Sequence, residues 1–260
     1  MLNVEILSPD QIEKAATLFH RDGFVAIKDA LTPAQLQTAQ AGARRVIAEQ
    51  TAAIKLEEAN RGFARYSFGD QTRHPEWSML IDLPTILPIL NHIWSSEDYS
   101  CSGAGGDYSV PGAKIQHLHS DMGDFFHDPL GQATFHDVPA PFIVVNFMMV
   151  DFRRENGAIR FVPCTQRSRH AVPKLDEEPE WMQNSILCAP TGTAVIRDVR
   201  CWHGGTANTS DEIRPMTSVG YHAPWYRTRS QSKLPRDVYD TFSPRAQELC
   251  RGLVENGTSF

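Results

Sequence analysis

The chain has 260 residues, 41% of them hydrophobic, and its 31 acids against 25 Lys plus Arg give a formal charge of -6. That length allows a substantial buried core. The acidic balance, with no basic block, argues against a nucleic-acid partner, which would call for a broad cationic footprint. Residues 142–150, the longest strongly apolar stretch, contain Asn146 and are too few to span a bilayer. The start MLNVEILSPDQ lacks the cationic opening and apolar core of a secretion signal. Cys101, Cys164, Cys188, Cys201 and Cys250 are scattered without a CxxC pair, which fits reduced thiols in a cytoplasmic protein.

Ser8-Pro9-Asp10 predicts a helix start, with Ile12, Ala15, Ala16 and Phe19 recurring at helical spacing and Gly23 closing the helix before a short strand at 24–27. Thr32-Pro33 opens a longer, alanine-rich helix to about residue 55, suited to packing across the outside of a sheet. Another helical segment is expected over 83–94, with Pro84 near its start. From about Tyr99 the period changes. Apolar runs at 113–118, 142–152, 158–162 and 193–197, divided by Gly, Pro, Asp and Asn, predict strands. Short strands spaced by turns predict an all-β core with flanking helices, in the form of a double-sheet jelly roll. The expected organisation is one domain over 1–260, with bracing helices in about 1–95 and the core in about 96–228. Residues 123–140, rich in Gly, Asp and Pro, predict a long functional loop, and the tail from about Arg229 is polar.

Chemistry concentrates at His119-Ser120-Asp121 and at Cys201-Trp202-His203-Gly204. In an extended strand residues 119 and 121 point the same way, so an imidazole and a carboxylate can hold one metal. His203 can complete a face of two histidines and one carboxylate, which leaves coordination positions open. Arg214, eleven residues on, offers a fixed donor fork for a carboxylate. A hydrogen-bonded His–Asp pair inside a sheet is the plain alternative. His117 shares the parity of His119 and Asp121, so a His117/His119 metal pair of the general cupin kind is another.

This set resembles the phytanoyl-CoA dioxygenase-like family of Fe(II)/2-oxoglutarate-dependent dioxygenases over roughly residues 117–221. Asn156-Gly157 and the run from His203 to Arg214 are similar to the family's turn and distal segment, whereas Pro163-Cys164-Thr165-Gln166 departs from its usual Pro-Gly-Ser-His. The resemblance implies a double-stranded β-helix, cupin-like, holding Fe(II) on His119, Asp121 and His203. It also implies 2-oxoglutarate and O2 as cosubstrates, with Arg214 on the distal carboxylate of 2-oxoglutarate. The implied activity is hydroxylation or another oxidation of a small organic, natural-product or lipid-like substrate, with release of succinate and CO2.

Further cosubstrate candidates follow from parity and polarity. Met216, two residues beyond Arg214, has no hydroxyl, which leaves Ser218 as the nearest same-parity one. In a regular strand Gln116 falls on the face opposite His119, so His117 is the better pocket residue. Asn146 and Thr193 are further inward polar candidates. Tyr66, Phe68, Phe125, Phe126, Arg153 and Trp202 are candidates for the substrate shell, with Phe125-Phe126 as the local lid. A different function class is a metal-binding cupin without redox chemistry, which would leave 2-oxoglutarate unconsumed. The expected partner is a small molecule, with neither nucleic acid nor membrane, and the chain suits either a monomer or a homodimer.

Overall fold

The computed structural model describes residues 2–228 and 233–255. Over these the chain runs β1 (Ile6–Leu7), α1 (Ile12–Asp22), β2 (Phe24–Ile27), α2 (Pro33–Ala53), β3 (Arg65–Ser67), α3 (Pro75–Ser78), α4 (Leu87–Trp94), β4 (Ser100–Ser109), β5 (Phe142–Met148), β6 (Ile159–Phe161), α5 (Glu180–Gln183), β7 (Ala194–Asp198), β8 (His203–Gly205), β9 (Arg214–His222), α6 (Arg236–Tyr239) and α7 (Pro244–Cys250).

Local chemistry explains the leading elements. Thr32 and Gln35 cap α2 reciprocally, Gln35 N donating to Thr32 Oγ1 at 3.3 Å and Thr32 N to Gln35 Oε1 at 2.9 Å, with Pro33 in the first turn. Helix α1 begins only at Ile12, because Ser8 is spent in a turn that accepts Gln11 N at 3.1 Å. It ends on Gly23, whose φ of 85° suits a residue without Cβ. Residues 83–86, expected as the first turn of a helix, instead lead into α4 through a turn in which Ile86 N donates to Leu83 O at 3.0 Å.

The strands form a seven-stranded sheet in the order β1-β2-β7-β5-β9-β4-β3 and a two-stranded sheet, β6-β8. All pairs are antiparallel except β1 with β2. The first 95 residues thus supply three edge-side strands as well as helices. One face of the large sheet carries the main core: Phe19 of α1, Val46 of α2, Trp77 of α3 and Ile89 of α4 pack onto Val145, Ile196 and Val219. From the other face Phe24, Met148, Val195 and Met216 meet Ile159 and Phe161 of the small sheet. This second cluster fills part of the space between the sheets and leaves the rest as a cavity. The fold is the expected jelly roll with flanking helices.

Several boundaries differ from the sequence reading. Residues 113–118 form no strand, and this stretch meets β8 through an isolated bridge between His119 and His203 and a single backbone bond from Gln116 to Gly205. Strand β4 (SCSGAGGDYS) was hidden by three glycines that are poor strand formers. They are used for close approach: a Cβ on Gly105 would lie 2.4 Å from Gly69 O, and Trp77 Nε1 donates to Gly105 O at 2.7 Å. Residues 123–140 are a long loop without strand or α-helix. Arg229 lies outside the described residues, and beyond it α7 buries Ala246, Leu249 and Cys250. No described helix is long and apolar enough to cross a membrane.

Candidate metal centre

His119 and His203 face each other across a two-bond antiparallel pair, His119 N to His203 O at 2.9 Å and His203 N to His119 O at 3.0 Å. Directly opposed residues point to the same side of a ladder, and the ring centroids stand 4.4 Å apart. Asp121 reaches the same point after its N–H bonds to Val199 O at 2.9 Å. His119 Nε2 and His203 Nε2 each lie 3.6 Å from an Asp121 oxygen, and one ligating atom from each residue falls within 4.8 Å of the others.

The far side of each ring is anchored. His203 Nδ1 is 2.9 Å from Cys201 O and His119 Nδ1 is 3.2 Å from His117 O. With Nδ1–H donating to a carbonyl, the neutral tautomer presents a bare Nε2, which is the form a metal takes. Burial, then Arg197, pushes the His203 pKa down to about 3, and burial also lowers that of His119. Burial works against ionisation of Asp121, but Arg197, His203 and His119 outweigh it and hold its carboxyl well below the usual range. Two neutral imidazoles and an ionised carboxylate therefore converge at neutral pH, and this donor set fits a borderline divalent ion such as Fe(II).

These groups line a cavity of about 490 Å³ between the sheets. Asn146 and Ser218 line it as expected, opposite each other on β5 and β9. Arg214 is also there, 1% exposed, with Nη1 3.0 Å from Asp107 Oδ1 and Nε donating to Gly157 O at 3.1 Å.

His117 is placed differently: it is exposed and turned to the outside, and Gln116 lines the cavity in its stead. The cause is a one-residue slip in pairing. His119 opposes His203, but Gln116, not His117, donates its N–H to Gly205 O at 2.9 Å. The extra residue acts as a bulge and reverses the parity on which the expectation rested. Gln116 is fixed at both ends of its amide, Oε1 accepting Gly205 N and Nε2 donating to Arg61 O, each at 3.0 Å.

Other candidates also lie outside the cavity. Thr193 is buried beside β7, where its carbonyl accepts Met148 N at 2.9 Å. Tyr66 and Phe68 belong to the main core, with ring centroids 5.0 and 5.1 Å from that of Tyr108. They alternate with Arg65 and Ser67, so the opposite side of β3 is the one that faces the cavity. Phe125 and Phe126 sit on the surface loop, Phe125 against Phe135 and Tyr226. Arg153 is engaged by Glu155 at 2.9 Å and Glu212 at 2.6 Å. Trp202 packs with Leu118 and Val162.

The sequence reading passed over Arg61, Arg65, Asp70, Asp107 and Arg197, all of which line the cavity. Arg65 is 2% exposed, donates through Nη2 to Thr206 O at 2.8 Å and has no hydrogen-bond partner at Nε. Burial, then its neighbour Arg214, lowers its pKa to about 10, so it stays charged at neutral pH. Alternation alone could have flagged Arg197, which shares the parity of Val195 in an otherwise apolar run.

A jelly roll that presents two imidazoles and a carboxylate inside a polar cavity is an architecture of non-haem metal oxygenases. The chain belongs to the phytanoyl-CoA dioxygenase (PhyH) family, which it matches over residues 19–216. It is similar to "Dioxygenase cdmA" of Talaromyces verruculosus, 26% identical over 260 residues that span 93% of this chain and 82% of that protein. It is also similar to "Fe(II)/2-oxoglutarate-dependent dioxygenase nvfF" of Aspergillus novofumigatus, 26% identical over 93% of this chain and 81% of that one. Among solved structures, the non-heme alpha ketoglutarate dependent epimerase SnoN from nogalamycin biosynthesis shares the fold. The TM-score is 0.62 at 20% identity, over 82% of this chain and 84% of SnoN.

Proposed function

We propose that the protein oxidises a small, polar natural-product substrate at Fe(II) held by His119, Asp121 and His203. As a member of this dioxygenase family it uses Fe(II), 2-oxoglutarate and O2. The observation that carries the residue assignment is the convergence of two Nε2 atoms, each freed by an anchored Nδ1, on one carboxylate within 4.8 Å. Iron and 2-oxoglutarate, when bound, would activate O2, one oxygen atom going to succinate as CO2 leaves and the other oxidising the substrate.

The chain's own residues orient and exclude. Arg214, on the same cavity wall, takes the distal carboxylate of 2-oxoglutarate through its fixed donor fork. Asn146 is tied through Arg197 to Asp121, and Ser218 lies between Asn146 and Gly105 of β4. The remaining lining is mixed but more polar than apolar: Arg61, Ser67, Asp70 and Ser102 around Gly103 and Gly220, with Phe142, Val144, Ile159 and Met216 as its apolar part. That surface suits a hydrogen-bonding molecule better than a lipid chain. SnoN, from nogalamycin biosynthesis, supports a natural-product substrate. We place the enzyme in the cytoplasm as a monomer or homodimer acting on a small molecule, with no nucleic-acid or membrane partner.

The test is anaerobic titration of 2-oxoglutarate into Fe(II)-loaded protein, followed by visible charge-transfer absorption, with His203→Ala alongside. A band in the wild type that is lost in the variant supports the reading. Iron occupancy with no band, and no turnover of 2-oxoglutarate, would favour the non-redox cupin function instead.

A further inference from the structure

Arg197 is an inward cation that the assigned iron and 2-oxoglutarate roles leave unused. It stands on β7 opposite Val144 of β5, its side chain 8% exposed, with Nε donating to Asn146 Oδ1 at 3.0 Å. Nη1 lies 2.7 Å from Asp121 Oδ2 but has no aligned hydrogen bond, so the contact is chiefly one of charge. The same Asp121 oxygen is 3.6 Å from His203 Nε2. The guanidinium therefore engages one of two carboxylate oxygens that face the histidines, the other, Oδ1, lying 3.6 Å from His119 Nε2.

Counting charge shows the consequence. Two neutral imidazoles, one carboxylate and one guanidinium sum to zero before any metal arrives. A divalent ion must enter beside a fixed positive charge and share a carboxylate that is already countered at 2.7 Å. A dianion arriving at the same cavity relieves that excess.

We propose that Arg197 is a stand-in cation for Asp121: it pairs with the carboxylate while the metal is absent, weakens metal uptake by the triad alone, and so couples metal retention to the dianionic cosubstrate. The inference rests on the assignment of His119, Asp121 and His203 as ligands. Arg197 acts through Asp121 and is a positioning residue.

The experiment is calorimetric titration of Ni(II), which undergoes no turnover, into metal-free protein without 2-oxoglutarate. Wild type, Arg197→Gln, Arg197→Lys and His203→Ala are compared at one pH and ionic strength. Arg197→Gln, which removes charge but keeps a polar, hydrogen-bonding side chain, is expected to bind Ni(II) on the order of tenfold more tightly, and Arg197→Lys to stay near wild type. Should the glutamine variant not fold, Arg197→Met, matched to the neighbouring Val195, carries the same expectation. Equal or weaker binding by the folded neutral variant would overturn the inference, because a residue that merely braces Asp121 must weaken the site when lost. Ni(II) uptake by neither wild type nor the folded neutral variant, or uptake that is as strong after His203→Ala, would overturn the triad assignment itself.

Discussion

Buried arginines fall into two groups in this molecule, one in the walls and one in the cavity. Arg160 forks onto Glu178, both side chains 0% exposed, and also donates to Gln116 O at 2.6 Å. Arg200 pairs with Asp198 and donates to Phe135 O and Val138 O at 2.6 and 3.0 Å. Each wall cation has its own carboxylate and fastens a segment: Glu178 also accepts Leu118 N, pinning the arm that bears His119, and Arg200 ties the long loop to the end of β7. In the cavity, buried Arg65, Arg197 and Arg214, joined by the exposed Arg61, face Asp70, Asp107 and Asp121. That surplus of positive charge has no internal answer and suits an incoming anion. Wall cations should therefore be read by stability and cavity cations by ligand affinity.

The largest expected effect breaks a wall pair. Arg160→Met strands the Glu178 carboxylate and should cost about 3–5 kcal/mol in urea unfolding, with most of the loss recovered in Arg160→Met/Glu178→Leu. A loss under about 1 kcal/mol would show that the wall and cavity groups do not differ in kind.

Acid tests the comparison from the other side, because arginines keep their charge and histidines do not. The folded pKa of His203, at about 3, lies below its ordinary 6.5. The unfolded chain therefore takes the proton first as pH falls. Stability is fully present above about pH 6.5 and is lost toward pH 3, at about 1.4 kcal/mol per unit. Metal-free protein should lose roughly 2.5 kcal/mol from this group by pH 4.5. His222, pushed down to about 4 by burial and Arg227, adds to the same slope. The His203 share is thus the difference between wild type and His203→Gln, and parallel pH profiles would refute it.

Arg214→Met probes the cavity group. Loss of a charge-assisted contact should weaken 2-oxoglutarate binding by about 1.5–3 kcal/mol, seen as a raised KM with metal affinity retained. Urea stability should stay near wild type. A variant that binds 2-oxoglutarate normally but unfolds easily would move Arg214 into the wall group.

The convergence of His119, Asp121 and His203 and the inward placement of Arg214 were legible because short-range parity, residue type and the spacing to His203 agree with one another. The fold class was legible for a related reason: strand alternation and turn residues survive without knowledge of pairing. What stayed hidden depends on register. Whether Gln116 or His117 faces inward is decided by a slip against Gly204 and Gly205 on β8, far away in sequence. Alternation on β3 separates Arg65 and Ser67 from Tyr66 and Phe68 but does not say which side meets a cavity. The aromatics belonged to ordinary core, and the charged side lined the site. Asp107 was missed because the inward face of β4 is fixed only once β9 is in place, whereas Arg197 stood out by its parity with Val195 and was passed over.

The smallest expected effect links the cavity to the strand that bears His203. A Cβ on Gly205 would lie 2.5 Å from Arg65 Cζ and Nη1, so the guanidinium rests on the bare backbone two residues after His203. Gly205 needs no left-handed φ, so Gly205→Ala acts by volume alone and must move Arg65. Because Arg65 is a flexible side chain with one bond to Thr206 O, it can yield by losing that bond. The expected cost is about 1 kcal/mol, expressed as a several-fold weaker hold on 2-oxoglutarate. Arg65→Met should produce a similar loss, and the double variant little more than either alone, since both remove the same cation from the same place. Additive losses in that cycle would mean that Gly205 serves the pairing of β6 with β8 rather than the seat of Arg65, and the surplus charge of the cavity would then have to be maintained without it.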